Sequence, residues 1–184
     1  MFQEALHDIV ARLARARTQG LLEQFALIGG LAVSVWAEPR ATRDLDFAVA
    51  LQAGSPQSLA DVLHGTYRAG DPDDPLRGVI TASSGMADRM IPVQLIFLPR
   101  SLSRVVFERI HDVNVLGCVV PVVAWEPLVL LKLYAGGPRD LLDAKQICAT
   151  QAPDTSALAS VATLAKRAGL SEEWDQFRRR MATP

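Results

Sequence analysis

Cysteine is almost missing from this chain. Cys118 and Cys148 are its only two, with no Cys-x-x-Cys and no histidine pair beside either. That argues against a disulfide framework or a thiolate zinc site, and both read as small buried hydrophobes in a reducing compartment. Histidine is equally scarce, since His7, His64 and His111 are scattered without metal-ligand spacing. Charge of one sign is also lacking. With a net charge of -1 the chain is unsuited to broad, sequence-independent binding of nucleic acid, although a local basic patch remains compatible with it. No apolar run is long enough to cross a bilayer. The most apolar stretch, "VNVLGCVVPVVAWEPLVLLKLYAGG", is broken by Pro121, Glu126, Pro127 and Lys132. The first residues, "MFQEALHDIVARLARARTQG", hold no continuous apolar segment of signal-peptide type, so the expected location is the cytoplasm, away from a membrane.

What is present is an ordinary globular composition, 49% apolar and 21% charged over 184 residues, enough for one domain with a real core. Phe2, Leu6, Ile9, Val10 and Leu13 share one helical face, and Gly20 is a suitable stop for that helix. "FALI" reads as a short buried strand, Gly29-Gly30 as the turn into a helix through Trp36, and "DLDFAVAL" as a strand entering a core. A helix over Pro56–His64 follows, then a turn-rich acidic loop, "AGDPDDPLRG", expected to be mobile. "IPVQLIFLP" is the next strand. The pattern then predicts a helix over Ser101–Ile110 with Ser101 as N-cap, and short strands at Val113–Leu116 and Val119–Val122. Helices follow at Pro127–Tyr134, Arg139–Thr150, Thr155–Ala168 and Ser171–Met181, with Pro138 in a first turn. The expectation is an α+β domain: a core with an N-terminal helix over 1–122, and a helical segment over 123–184 packed on it.

The chemistry concentrates in "ALIGGLAVSVWAEPRATRDLDFAVA". In a strand, residues i and i+2 face the same way, so Asp44 and Asp46 project together while Leu45 enters the core. Two carboxylates at that separation repel, and one takes up a proton unless a cation sits between them. A divalent ion with hard oxygen ligands is the natural compensation, and Mg²⁺ binds one or two carboxylates together with substrate phosphates. Gly29-Gly30 fits as the other half, because a strand–Gly-Gly–helix junction lets backbone N–H groups face an anion. Together they outline a site for a nucleoside triphosphate (NTP) and a metal. On the residues alone a plainer reading stays open: exposed edge-strand acids or a helix cap for the aspartates, and a tight turn for the glycines. Arg40 and Arg43 read as surface charges, as salt-bridge partners of the aspartates, or as phosphate ligands. Thr42 reads as a local hydrogen-bonding residue.

This arrangement resembles the DNA polymerase β-like nucleotidyltransferase superfamily, whose signature is an apolar residue, Gly-Gly or Gly-Ser, a spacer, then Asp–apolar–Asp/Glu–apolar. Ile28-Gly29-Gly30, thirteen intervening residues and Asp44-Leu45-Asp46-Phe47 satisfy it. "EPRATRDLDF" and the downstream "VPVVAWEPLVLLKLYAGGPRDLLDAKQI" are similar to the AbiEii-type toxins and their minimal relatives, so the likeness covers residues 25–148. It implies a nucleotidyltransferase fold, a small mixed sheet flanked by helices, and Mg²⁺-dependent transfer of a nucleoside monophosphate from an NTP to a tRNA or protein hydroxyl. It also implies a cognate antitoxin as partner. Asp44 and Asp46 would be metal ligands and catalytic, with Lys132 on the phosphates. Gly29, Gly30, Arg40, Arg43, Arg139, Asp140 and Asp143 would bind the nucleotide. Independently of the likeness, Asp140 and Asp143 share one helical face, while Lys132 in an apolar helix can either serve a phosphate or snorkel to solvent.

One position departs from the pattern. The superfamily's third carboxylate belongs on the strand "PVQLIF", where Gln94 stands. Glutamine offers a metal only a neutral oxygen and cannot deprotonate a nucleophile. Asp88 in the preceding loop is the nearest substitute in sequence. Two further readings follow: a catalytically degenerate domain that binds nucleotide or a partner, and an aminoglycoside-type antibiotic nucleotidyltransferase, which "GGLAV…R.TRDLDF" also resembles. The "FRRRM" tail reads as a solvated helical end, with RNA contact as the alternative.

Overall fold

The computed structural model describes residues 2–71, 76–86 and 89–182. Asp88 and residues 72–75 of the acidic loop expected to be mobile lie outside them. The chain opens with α1 (Phe2–Thr18), whose Leu6, Ile9 and Leu13 are fully buried. Strand β1 (Leu22–Ile28) runs straight into α2 (Gly29–Trp36), and a loop leads to β2 (Leu45–Leu51). Next come α3 (Pro56–Val62), β3 (Thr66–Ala69), β4 (Gly78–Met86), β5 (Arg89–Phe97) and α4 (Arg100–Phe107). The hairpin β6 (Ile110–Val115) and β7 (Cys118–Val123) precedes four helices: α5 (Trp125–Ala135), α6 (Pro138–Gln151), α7 (Thr155–Ala168) and α8 (Ser171–Ala182).

All seven strands form one mixed sheet in the order β3-β4-β5-β2-β1-β7-β6. Its centre is what matters for function. β2 pairs antiparallel with β1, bringing Ile28 opposite Asp46, and parallel with β5, bringing Asp46 opposite Gln94. Paired residues share a face, so one row across three strands reads Ile28, Asp46, Gln94. Phe47, Val93 and Leu95 point the other way and are buried in the core. Helix α5 explains how a cation reaches this row: every residue from Pro127 to Leu133 is buried, including Lys132. A helix that is apolar all round must be covered on every side, and α5 packs against α2, α4, α6, α7 and α8.

Several elements differ from the sequence expectation. β3 and β4 are strands that periodicity does not single out; β4, "GVITASSGM", is rich in small and polar residues, and its pairing with β5 along its whole length makes it a strand. Ser101 is not the cap of α4. Pro99 holds that place, and the Ser101 hydroxyl donates to the Ala168 carbonyl at 3.3 Å. Cys118, expected buried, is partly exposed, whereas Cys148 is buried.

Candidate functional site

Asp44 lies one residue ahead of β2 and Asp46 is the second residue within it. Both are half-buried and both line a cavity of about 340 Å³ between the sheet and α5. The walls are mostly apolar: Ile28 and Ile96 from the sheet, Leu128, Leu131 and Tyr134 from α5. Gln94 and Asp140 complete its polar lining. A second, more polar cavity of about 640 Å³ adjoins it and contains Gly30, Arg40, Thr42, Arg43 and Arg139. Asp44, Asp46 and Lys132 line both, so the carboxylates and the ammonium stand where the apolar and basic halves meet.

The glycines have a structural reason that the sequence does not disclose. Gly29 has φ +66°, and a Cβ there would fall 2.0 Å from Asp46 Oδ2. A Cβ on Gly30 would meet Thr42 Oγ1 at 2.7 Å and Arg40 Nη2 at 3.1 Å. Gly29 therefore clears room for the carboxylate, and Gly30 for the loop that leads to it. That loop is fastened at both ends. The Arg40 N–H donates to Ser34 Oγ at 3.3 Å, and Thr42 Oγ1 donates to Asp44 Oδ1 at 3.0 Å. Ser34 is a small polar residue within α2, and nothing in its sequence context signals this role.

Behind the carboxylates lies an ion-pair network. Lys132 Nζ contacts Asp140 Oδ1 at 2.8 Å and Asp143 Oδ2 at 2.9 Å, while Arg40 Nη2 donates to Asp143 Oδ2 at 2.7 Å. Asp140 and Asp143 are thus on one face of α6, and they divide the work. Asp140 reaches the cavity wall. Asp143 is 2% exposed, lines neither cavity and binds the two cations from behind. Lys132 does not snorkel to solvent. Arg139 donates to the Ala41 carbonyl at 3.2 Å, and Arg43 is exposed at the rim of the basic cavity.

The electrostatics follow from these positions. Burial, and then the charge of Asp44, push the Asp46 carboxyl up to about 6, although Lys132 and Arg40 pull it down. Burial acts on Asp143 in the same direction, but hydrogen bonds from Arg40 and Lys132, with their charges, outweigh it and hold that carboxyl below its ordinary range. Two hard oxygen donors, one resisting ionisation beside the other, fit a divalent ion. Gln94 can add a neutral oxygen at the adjacent register position. Among the described residues no group of three or more His, Cys, Asp or Glu is placed to hold a metal ion.

A profile of the nucleotidyl transferase AbiEii toxin family, of type IV toxin–antitoxin systems, matches residues 12–183. The chain belongs to this family. The match begins within α1 and takes in every later element of this AbiEii-family member through α8. No curated protein matches it in sequence. Among solved structures it is similar to ANT(2'')-Ia in complex with adenylyl-2''-tobramycin, at 15% identity and a TM-score of 0.51, covering 99% of this chain and 100% of that one. It is also similar to an antigenic nucleotidyltransferase-like protein from Paracoccidioides brasiliensis, at 14% identity and a TM-score of 0.49, covering 93% and 92%. The likeness to ANT(2'')-Ia shows the nucleotidyltransferase fold in a mixed α/β chain. Among the described residues no helix is long and apolar enough to cross a membrane.

Proposed function

We propose that this AbiEii-family protein transfers a nucleoside monophosphate from an NTP to an acceptor hydroxyl, on RNA such as a tRNA end or on a protein side chain. The observation that supports it best is the convergence of Asp44, Asp46 and Lys132 at the junction of the two cavities. The acceptor hydroxyl gives its proton to solvent, its oxygen bonds to the α-phosphorus, the bond from that phosphorus to the bridging oxygen breaks, and pyrophosphate leaves. Asp44 and Asp46 are the residues that would hold Mg²⁺, whose bound charge would offset that of the phosphates. Lys132, kept in place by Asp140 and Asp143, presents its ammonium to the charge that develops on the transferred group. Arg43 and Arg139 give the basic cavity its affinity for the remaining phosphates, with Arg40 and the Gly30 backbone beneath them. The family is one of toxins, and a cognate antitoxin is the expected partner.

Gln94 supports a second reading. It stands beside Asp46 with a carboxamide, which cannot take a proton from the acceptor. A domain that binds NTP without transfer would carry such a residue. One assay separates the readings: purified protein with Mg²⁺, labelled NTPs, and bulk tRNA, total protein or an aminoglycoside in parallel. Transfer predicts label on RNA or protein, abolished by Asp46→Asn. Label on the aminoglycoside alone moves the assignment to antibiotic modification. NTP binding without transfer, with activity appearing in Gln94→Asp, supports the degenerate reading, and failure to bind any NTP with Mg²⁺ rejects all of them.

A further inference from the structure

Helices α5, α6 and α8 leave one face unfinished. α6 and α8 both pack on α5 but hardly on each other, so a groove runs between them with Leu133 of α5 in its floor. Its cavity of about 350 Å³ shares no residue with the two cavities of the candidate site. Both walls follow helical spacing. Pro138, Leu141, Leu142 and Lys145 line it from α6, and Glu173, Gln176, Phe177 and Arg180 from α8, each set at i, i+3, i+4 and i+7. That is the stripe one helix offers to another helix. Large apolar side chains project beside it uncovered: Leu142 on one wall is 63% exposed, and Met181 on the other is 40% exposed.

The charges in the lining indicate what covers this face. Lys145 and Arg180 stand with Glu173, and none of the three is in an ion pair among the described residues. An acidic helix would meet Glu173, and a basic helix would meet two cations. A surface with both signs is satisfied by its own copy. Hollow and projecting side chains also lie on the same face here, which is what a two-fold, isologous contact requires. In such a contact each Glu173 faces the other copy's Lys145 and Arg180, while each Leu142 and Met181 enters the other copy's groove. The candidate site stays clear of it. Around α6, Leu142 lies about 200° from Asp140, and Lys145 the same from Asp143, so the groove and the Lys132 network use opposite faces of one helix.

We infer that two copies of this chain pair through the groove between α6 and α8, with Leu142 and Met181 as apolar anchors and Glu173 against Lys145 and Arg180. The pairing braces α6 from behind and leaves both nucleotide cavities open, and it does not depend on which reaction the site performs.

The test is sedimentation equilibrium of the full chain up to about 0.1 mM, where twice the monomer mass is expected. Leu142→Glu and Met181→Glu should each weaken self-association at least tenfold. Both side chains are exposed in a single copy, so the fold tolerates the change. Val119→Glu, on β7 and also at a position 63% exposed, should stay within twofold of wild type. The charges are tested by exchange. Glu173→Lys sets three cations together and Lys145→Glu/Arg180→Glu three acids, so each variant should be monomeric alone. Mixed, the two should form a one-to-one heterodimer, because every charge then meets its opposite. That recovery also shows that both variants are folded. The pairing is overturned if wild type is monomeric throughout, which would leave the groove to a helix of a different protein. It is equally overturned if Leu142→Glu and Met181→Glu dimerise normally, if Val119→Glu dissociates the dimer as far, or if the charge variants stay apart when mixed.

Discussion

Gly29 and Asp46 occupy one space: the position a Cβ would take on the glycine is 2.0 Å from the Oδ2 of the aspartate. The glycine's φ of +66° adds backbone strain for any other residue. Gly29→Ala is therefore expected to displace the Asp46 carboxylate and to lower stability by roughly 1–3 kcal/mol. Thermal melts give the second quantity. Titration with Mg²⁺ gives the first, as a loss of at least tenfold in affinity. Stability lost with metal affinity intact would show that the carboxylate has another place to go.

The network around Asp143 predicts a positioning effect. This carboxylate is nearly inaccessible, yet it holds Arg40 and Lys132 from behind. Removing one member of a buried ion pair leaves uncompensated charge and costs about 3–5 kcal/mol. Asp143→Asn should fall towards the low end of that range, because the amide still accepts one hydrogen bond, and Asp143→Ala towards the high end. With Lys132 held by Asp140 alone and Arg40 released, catalytic rate in the variant that remains folded should fall more than NTP affinity. Equal losses in kcat and in affinity would place Asp143 in direct nucleotide contact instead.

The two aspartates respond to acid in opposite senses. Asp46 is raised to about 6 in the folded, metal-free chain, above its unfolded value of 3.8, so the fold binds its proton more tightly than the unfolded chain does. Asp46 thus works against stability above about pH 6, and that penalty disappears as pH falls towards 4. Asp143 is lowered, so its contribution is present above its unfolded value and is lost at lower pH. Asp46→Asn should consequently melt higher than wild type at pH 7.5 without metal, with little difference near pH 4. Mg²⁺ should raise the melting temperature of wild type at pH 7.5 far more than at pH 5, and leave Asp46→Asn almost unmoved. A metal effect independent of pH would put the cation elsewhere.

Much of the site is legible without the fold. Asp44-Leu45-Asp46 announces two carboxylates on one face, because side-chain alternation belongs to any extended backbone. The helical periods of α1 and α6 to α8 are equally visible, since each carries its apolar face in its own residues, and α5 shows instead as a continuous apolar run. β3 and β4 are not, because the small and polar residues of "GVITASSGM" have weak strand preference until β5 pairs with them.

By itself the sequence determined the chemistry available: two acids in alternation, two glycines at a strand–helix junction, a lysine in an apolar helix and acids three residues apart. These follow from local backbone geometry and covalent spacing. Tertiary structure alone decided what each group meets. It set Gln94 beside Asp46 by strand register, used Gly29 to admit a carboxylate, and turned Asp143 inward to bind Arg40 and Lys132. Contacts of that kind depend on how separate elements pack, and the energy of a charge depends on what surrounds it after packing.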